Sequence, residues 1–139
     1  MFYRLLDTIK YLPENTKFFI QRIFRGYGDD DLWSLDYWML KKIHKPFKAF
    51  VKSQKENGHG YPARLMKKEI DIISKGKDRG FNDWIKILEQ IEEAMDLQWL
   101  DYSCDDKWFN MNSEEHRIAY DKINKGWKLF GEYFGDFWD

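Results

Sequence analysis

Six large apolar residues, Tyr120, Ile123, Trp127, Phe130, Phe134 and Phe137, recur close to every 3.5 positions toward the end of the chain. A stripe of that period runs along one side of a helix, so this segment reads as an amphipathic α-helix that other elements must cover. Ser113 is its expected cap, with Glu114 and Glu115 in the first turn, where the positive end of the helix dipole favours them. Gly131 and Gly135, four apart at the edge of the stripe, point to a close backbone approach, since a glycine inside a helix otherwise costs about 1 kcal/mol.

The same period marks most of the chain. Phe2, Leu5, Leu6 and Ile9 form a short first helix that stops near Leu12 and Pro13. Phe18, Phe19, Ile20, Ile23 and Phe24 form a second, ended by Gly26 in the left-handed conformation. A third runs from Asp31 or Ser34 to near Gln54, with Met39, Ile43, Phe47 and Phe50 in one stripe. Pro46 lies inside it, and its missing N–H predicts a kink or break there. Leu65, Met66, Ile70 and Ile73 suggest a weaker helix. Asn82 is the expected cap of a helix from Asp83 to about Leu97, which turns Trp84, Ile85, Leu88, Ile91 and Met95 inward. Residues 98–112 read as irregular, anchored by Trp99, Trp108 and Phe109. No alternating strand pattern appears. The expectation is an all-α single domain over residues 1–139, a compact bundle of five to six helices with a Pro-kinked third helix and an amphipathic C-terminal helix.

With 43% hydrophobic and 34% charged residues, a chain of 139 residues can bury a core without disulfides or metal. Aromatic residues make up 19% of it, including seven Trp, which implies a core built largely of rings. The formal net charge of −1 gives no global pull toward nucleic acid or anionic membrane. The charge is segregated, however: six lysines and no acid lie between Lys41 and Lys55, and seven acids and no base between Glu89 and Asp106. A lone cysteine, Cys104, excludes an internal disulfide and fits a reducing compartment. No apolar run approaches the roughly 18 residues of a membrane span, and the first residues are too interrupted by charge for a signal segment. The cytoplasm is the expected location.

The stretches "RGYGDDDLWSLDYWMLKKIHKPFKAF", "WIKILEQI" and "YDKINKGWKLFGEYFGDFWD" resemble a family of small bacteriophage and prophage proteins. The shared elements are an arginine-glycine-aromatic turn, acids, then Trp-Ser-Leu-Asp, an internal Pro before a basic-aromatic helix, and an amphipathic end closing in Trp-Asp. They fall on Arg25, Gly26, Tyr27, Asp31, Trp33, Ser34, Leu35, Asp36, Pro46, Phe50, Gly126, Phe130, Trp138 and Asp139. The resemblance covers both ends of the chain, not residues 51–80 or 98–112. It implies a phage origin, and hence the host cytoplasm, but brings no activity with it.

Four carboxylates, Asp29, Asp30, Asp31 and Asp36, supply enough oxygens for Mg²⁺ or Ca²⁺, but they lack the spacing and central glycine of a Ca²⁺ loop. Acids at a helix start have a sufficient structural reason, so no metal is expected. Asp36 should project toward the inner stripe and need a partner, such as Arg25 or a backbone donor. His44, His59 and His116 form no metal-ligand spacing. Cys104 reads as an ordinary thiol, and there is no P-loop, dinucleotide fingerprint or nucleophile elbow. No enzyme activity and no cofactor are expected.

The third helix carries the more physical signal. Lys41, Lys45, Lys48, Lys52 and Lys55 fall opposite Met39, Ile43 and Phe47, with Tyr37 and Trp38 beside the lysines. Rings next to ammonium groups can stack a base while the lysines hold phosphates, and Tyr61 in "HGYP" would add a further ring. The competing reading is a solvated basic face whose aromatics another segment covers. The expected function is a small non-enzymatic phage-type binding protein, an inhibitor of a bacterial defence that sequesters a nucleotide signal or docks on a host protein. A structural, homo-oligomerising accessory protein and a nucleic-acid-binding protein are the alternatives.

Overall fold

The computed structural model describes residues 13–58, 60–65 and 79–137. The expected first helix, most of the weak helix after Leu65, and His59 lie outside the described residues. Helix α1 spans Glu14–Arg25 and α2 spans Leu35–Asn57, with a 3-10 turn, Asp29–Leu32, between them. After a further 3-10 turn, Ala63–Leu65, come α3 (Arg79–Tyr102), the single-turn α4 (Asp106–Phe109) and α5 (Ser113–Glu132). A 3-10 turn, Phe134–Asp136, follows α5. The fold is all-α, and no strand occurs among the described residues. By their contacts the residues fall into two compact units, Met1–Lys41 and Lys42–Asp139, so the division lies inside α2.

In the first unit, α1 ends as its sequence predicts. Gly26 sits at φ 82°, and its N–H donates to the Arg22 carbonyl. That left-handed residue turns the chain back so that the acids of the 3-10 turn meet the last turn of α1. None of the α1 residues is buried.

In the second unit the buried residues include Phe47, Val51, Trp84, Leu88, Ile91, Met95 and Tyr133. Rings dominate one end of it: Phe47 meets Phe130 and Phe137 edge-on, and Trp84 lies against Tyr133 and Phe137. Trp108, Ala119 and Ile123 make a second cluster, flanked by Leu97, Leu100, Met111 and Trp127. Between the two clusters α3 and α5 come closest at Ala94 and Gly126. A Cβ built on Gly126 would stand 2.1 Å from the Ala94 Cβ and 2.9 Å from the Gln90 carbonyl oxygen. The close approach expected at Gly131 and Gly135 is therefore at Gly126, and both of the others face open space.

Several boundaries and faces differ from the sequence expectation. The break expected at Pro46 does not occur, and α2 is continuous through it. Pro46 is exposed, so its ring meets solvent, and water can replace a main-chain hydrogen bond on that side of a helix. Met39 is 48% exposed while Leu40 is buried, which rotates the inward stripe of α2 toward Leu40, Phe47, Val51 and Gln54. At α5 the buried positions are Ala119, Ile123 and Gly126, followed by Tyr133, rather than Tyr120 and Phe134. Phe134 and Phe137 lie beyond the end of α5 at Glu132. Asn82 lies inside α3, which starts earlier and ends later than expected. The cap of α5 is Asn112, one residue before Ser113. Its Oδ1 accepts the N–H groups of Glu114 and Glu115, while Glu115 accepts the Asn112 N–H.

Candidate functional site

The corner "RGYGDDDLW" is held by ion pairs between α1 and the acid turn. The Arg22 guanidinium donates to both oxygens of Asp31, at 3.0 and 2.9 Å, and to Asp30 at 2.6 Å. Arg25 donates to Asp29 at 2.6 Å. Gln21 brackets the same residue, donating to its carboxylate and accepting its N–H, each at 2.8 Å. Asp31 also accepts the Gly28 N–H at 2.7 Å. Arg25, then Gln21, hold the Asp29 carboxyl below its ordinary range, and Asp31, then Asp30, push the Arg22 guanidinium upward. These acids thus serve as counter-charges to Arg22 and Arg25 in the last turn of α1. Among the described residues no group of three His, Cys, Asp or Glu side chains is placed to hold a metal ion.

Arg25 also lies over the Tyr27 ring at 5.0 Å, and Tyr27 meets Trp38 edge-on at 6.4 Å. Tyr37 and Trp38 are half-buried. Asp36 does not project inward as expected. It is exposed in the first turn of α2, and the Arg25 expected as its partner is engaged by Asp29. Trp33 is 92% exposed, beside Leu32 at 55%.

The lysines of α2 are exposed, but they do not form one free row. Lys48 donates to both oxygens of Asp96, at 2.9 and 3.0 Å, and Lys55 pairs with Glu89 at 2.9 Å. Lys52 stands 3.9 Å from Glu56. His44 shares Asp96 with Lys48 at 2.5 Å, and its ring stacks on Trp99 at 5.6 Å. Burial pushes the Asp96 carboxyl up, but hydrogen bonds from His44 and Lys48 outweigh that and leave it below its ordinary range. Glu89 raises Lys55 in the same way. The segregated charge of the sequence is therefore an α2–α3 seam in which lysines of one block meet acids of the other. Lys41 and Lys45 are exposed and make no ion pair among the described residues.

Tyr61 lies apart from this row, half-buried in a small cleft with Pro62, Trp84 and Asp136. Arg64 fastens that loop to the end of α5, lying 3.8 Å over the Tyr133 ring and donating to the Glu132 carbonyl and the Asp136 carboxylate. Arg22, Gln21, Asp96 and Arg64 were not singled out from the sequence. For the first two, a signal was available: two arginines and a glutamine in one helical turn, followed by three acids across a glycine hinge. Comparison of the chain with protein-family models, curated proteins and solved structures finds no match.

Proposed function

We propose that the protein is a non-catalytic, phage-type docking protein that inhibits a bacterial defence by binding a host protein in the host cytoplasm. The observation that carries this reading is the exposure of Trp33, at 92%, in a stretch that also presents Leu32, Leu35 and Met39 at 47–55%. Tryptophan is the side chain that most often anchors protein interfaces, and an apolar ring left in water gains free energy when a pocket receives it. The neighbouring arginines are already neutralised by Asp29, Asp30 and Asp31, so the fitting occupant is an apolar, weakly charged pocket. The phage resemblance supports a host target. Nucleotide capture is the weaker reading because Lys48 and Lys55 are committed to Asp96 and Glu89.

The test compares immobilised wild type with Trp33→Ala in host extract, alongside a calorimetric titration with mono-, di- and cyclic nucleotides. A partner retained by wild type and lost with Trp33→Ala, while far-UV circular dichroism stays unchanged, is the expected result. Equal retention by both proteins overturns the assignment of Trp33. Nucleotide binding that disappears in Trp38→Ala would overturn the docking reading itself.

A further inference from the structure

Residues 19–24 of α1 read "FIQRIF", with the same order of aromatic, aliphatic and polar positions from either end. At about 100° per residue, Phe19, Ile20, Ile23 and Phe24 share an arc of about 140°, disposed symmetrically about a point between Gln21 and Arg22. The opposite edge of α1 is the one that is held: Gln21, Arg22 and Arg25 bond to the acid turn, and Gly28 packs on Phe18. Most of the apolar face is left outward, with Phe19 61%, Ile23 62% and Phe24 76% exposed and Ile20 half-buried. Amphipathic helices are ordinarily stabilised the other way round, by burial of the apolar face.

We propose that this face is a self-association seam, occupied by α1 of a second copy of this chain running antiparallel across a twofold axis. A twofold contact requires a patch that is its own complement. An axis between Gln21 and Arg22 sets Phe19 level with Phe24 of the partner subunit, and Ile20 level with Ile23 of the partner subunit. The charges along the held edge are already paired, Arg22 with Asp30 and Asp31 and Arg25 with Asp29, so two copies meet without repulsion. The same neutrality removes the attraction that an anionic membrane or nucleic acid would need. Four side chains per copy are far fewer than the roughly 20–30 residues each partner gives to a standard interface. The dimer is therefore concentration-dependent. It uses side chains separate from the Trp33 stretch and stands or falls independently of the docking reading.

Sedimentation velocity of the full chain over a concentration series reads this directly. Wild type should shift from monomer to dimer as concentration rises. Ile23→Glu should remain monomeric with unchanged circular dichroism, because Ile23 is 62% exposed. Phe109→Glu, at a side chain 64% exposed in the other unit, should dimerise like wild type. A wild type that stays monomeric throughout overturns the seam, as does a dimer that survives Ile23→Glu or is lost equally in Phe109→Glu.

Discussion

Adding one methyl group at Gly126 should be among the most damaging small changes to this fold. In an open helix, Gly→Ala stabilises by about 1 kcal/mol, because alanine loses less backbone freedom on folding. At Gly126 the new Cβ would lie 2.1 Å from the Ala94 Cβ and 2.9 Å from the Gln90 carbonyl oxygen, which belongs to backbone and cannot swing aside. Carbon atoms pack at about 3.5–4.0 Å, so α3 and α5 must separate by more than about 1 Å at their closest point. That movement loosens contacts in both core clusters, and overpacking of this kind costs about 1–3 kcal/mol or more, which exceeds the propensity gain. A net loss of about 2 kcal/mol is expected from urea denaturation of the whole chain. Gly131→Ala provides the control, since nothing lies within 4 Å of its built Cβ and it should be neutral or stabilising. Ala94→Gly combined with Gly126→Ala removes the shorter clash and should recover part of the loss, giving a favourable coupling in the double-mutant cycle. If Gly126→Ala melts with or above wild type, the helices are not in contact there and the packing argument fails.

Three further outcomes follow from the side-chain geometry. Phe130, half-buried among Phe47, Trp127, Phe134 and Phe137, should lose about 2–3 kcal/mol as Phe130→Ala, less than a fully buried ring; a loss below about 1 kcal/mol in the same assay would contradict its place in the cluster. Asp96 is held below its ordinary range, so its contribution is present above the unfolded carboxylate value of about 4 and is lost as pH falls through the lower folded value. Melting temperature should therefore fall on acidification below about pH 4, and Asp96→Asn should flatten that limb; identical acid limbs would refute the pairing. Arg22→Ala should speed hydrogen exchange at the amides of residues 28–32 while leaving α5 unchanged, and protection equal to wild type would show that the acid turn holds itself.

Helical class was legible because apolar residues repeat with a helical period in α1, α2, α3 and α5, and Gly26 marks its helix end by a residue type few others replace. Which residue of an adjacent pair is buried was not legible. Met39 and Leu40, Tyr120 and Ala119, and Phe134 and Tyr133 are neighbours of similar apolar character, and only the packing of another helix chooses between them. The choice at Ala119 and Gly126 favours small side chains because the helices approach closely there, whereas size alone drew attention to the larger residues. The candidate site shows the same limit. Periodicity put the lysines on one face of α2, but Asp96 and Glu89 come from residues more than 30 positions away. The acids at residues 29–31 were read as helix-starting residues because their local pattern permits it, while their actual partners depend on the reversal at Gly26.

The seam between the lysine block and the acid block has a consequence for the growing chain. Residues 1–55 hold eleven basic and six acidic side chains, a net charge of +5, while the compensating acids follow in the remainder. During synthesis Lys48 and Lys55 leave the ribosome ahead of Asp96 and Glu89, and they stay unmatched until α3 has been made. An N-terminal fragment cut before α3 would keep that imbalance permanently and adhere to RNA through charge alone. Retention of such a fragment on a polynucleotide column would therefore report missing counter-ions from the protein's own chain, and nucleic-acid affinity is to be read on a chain that retains α3.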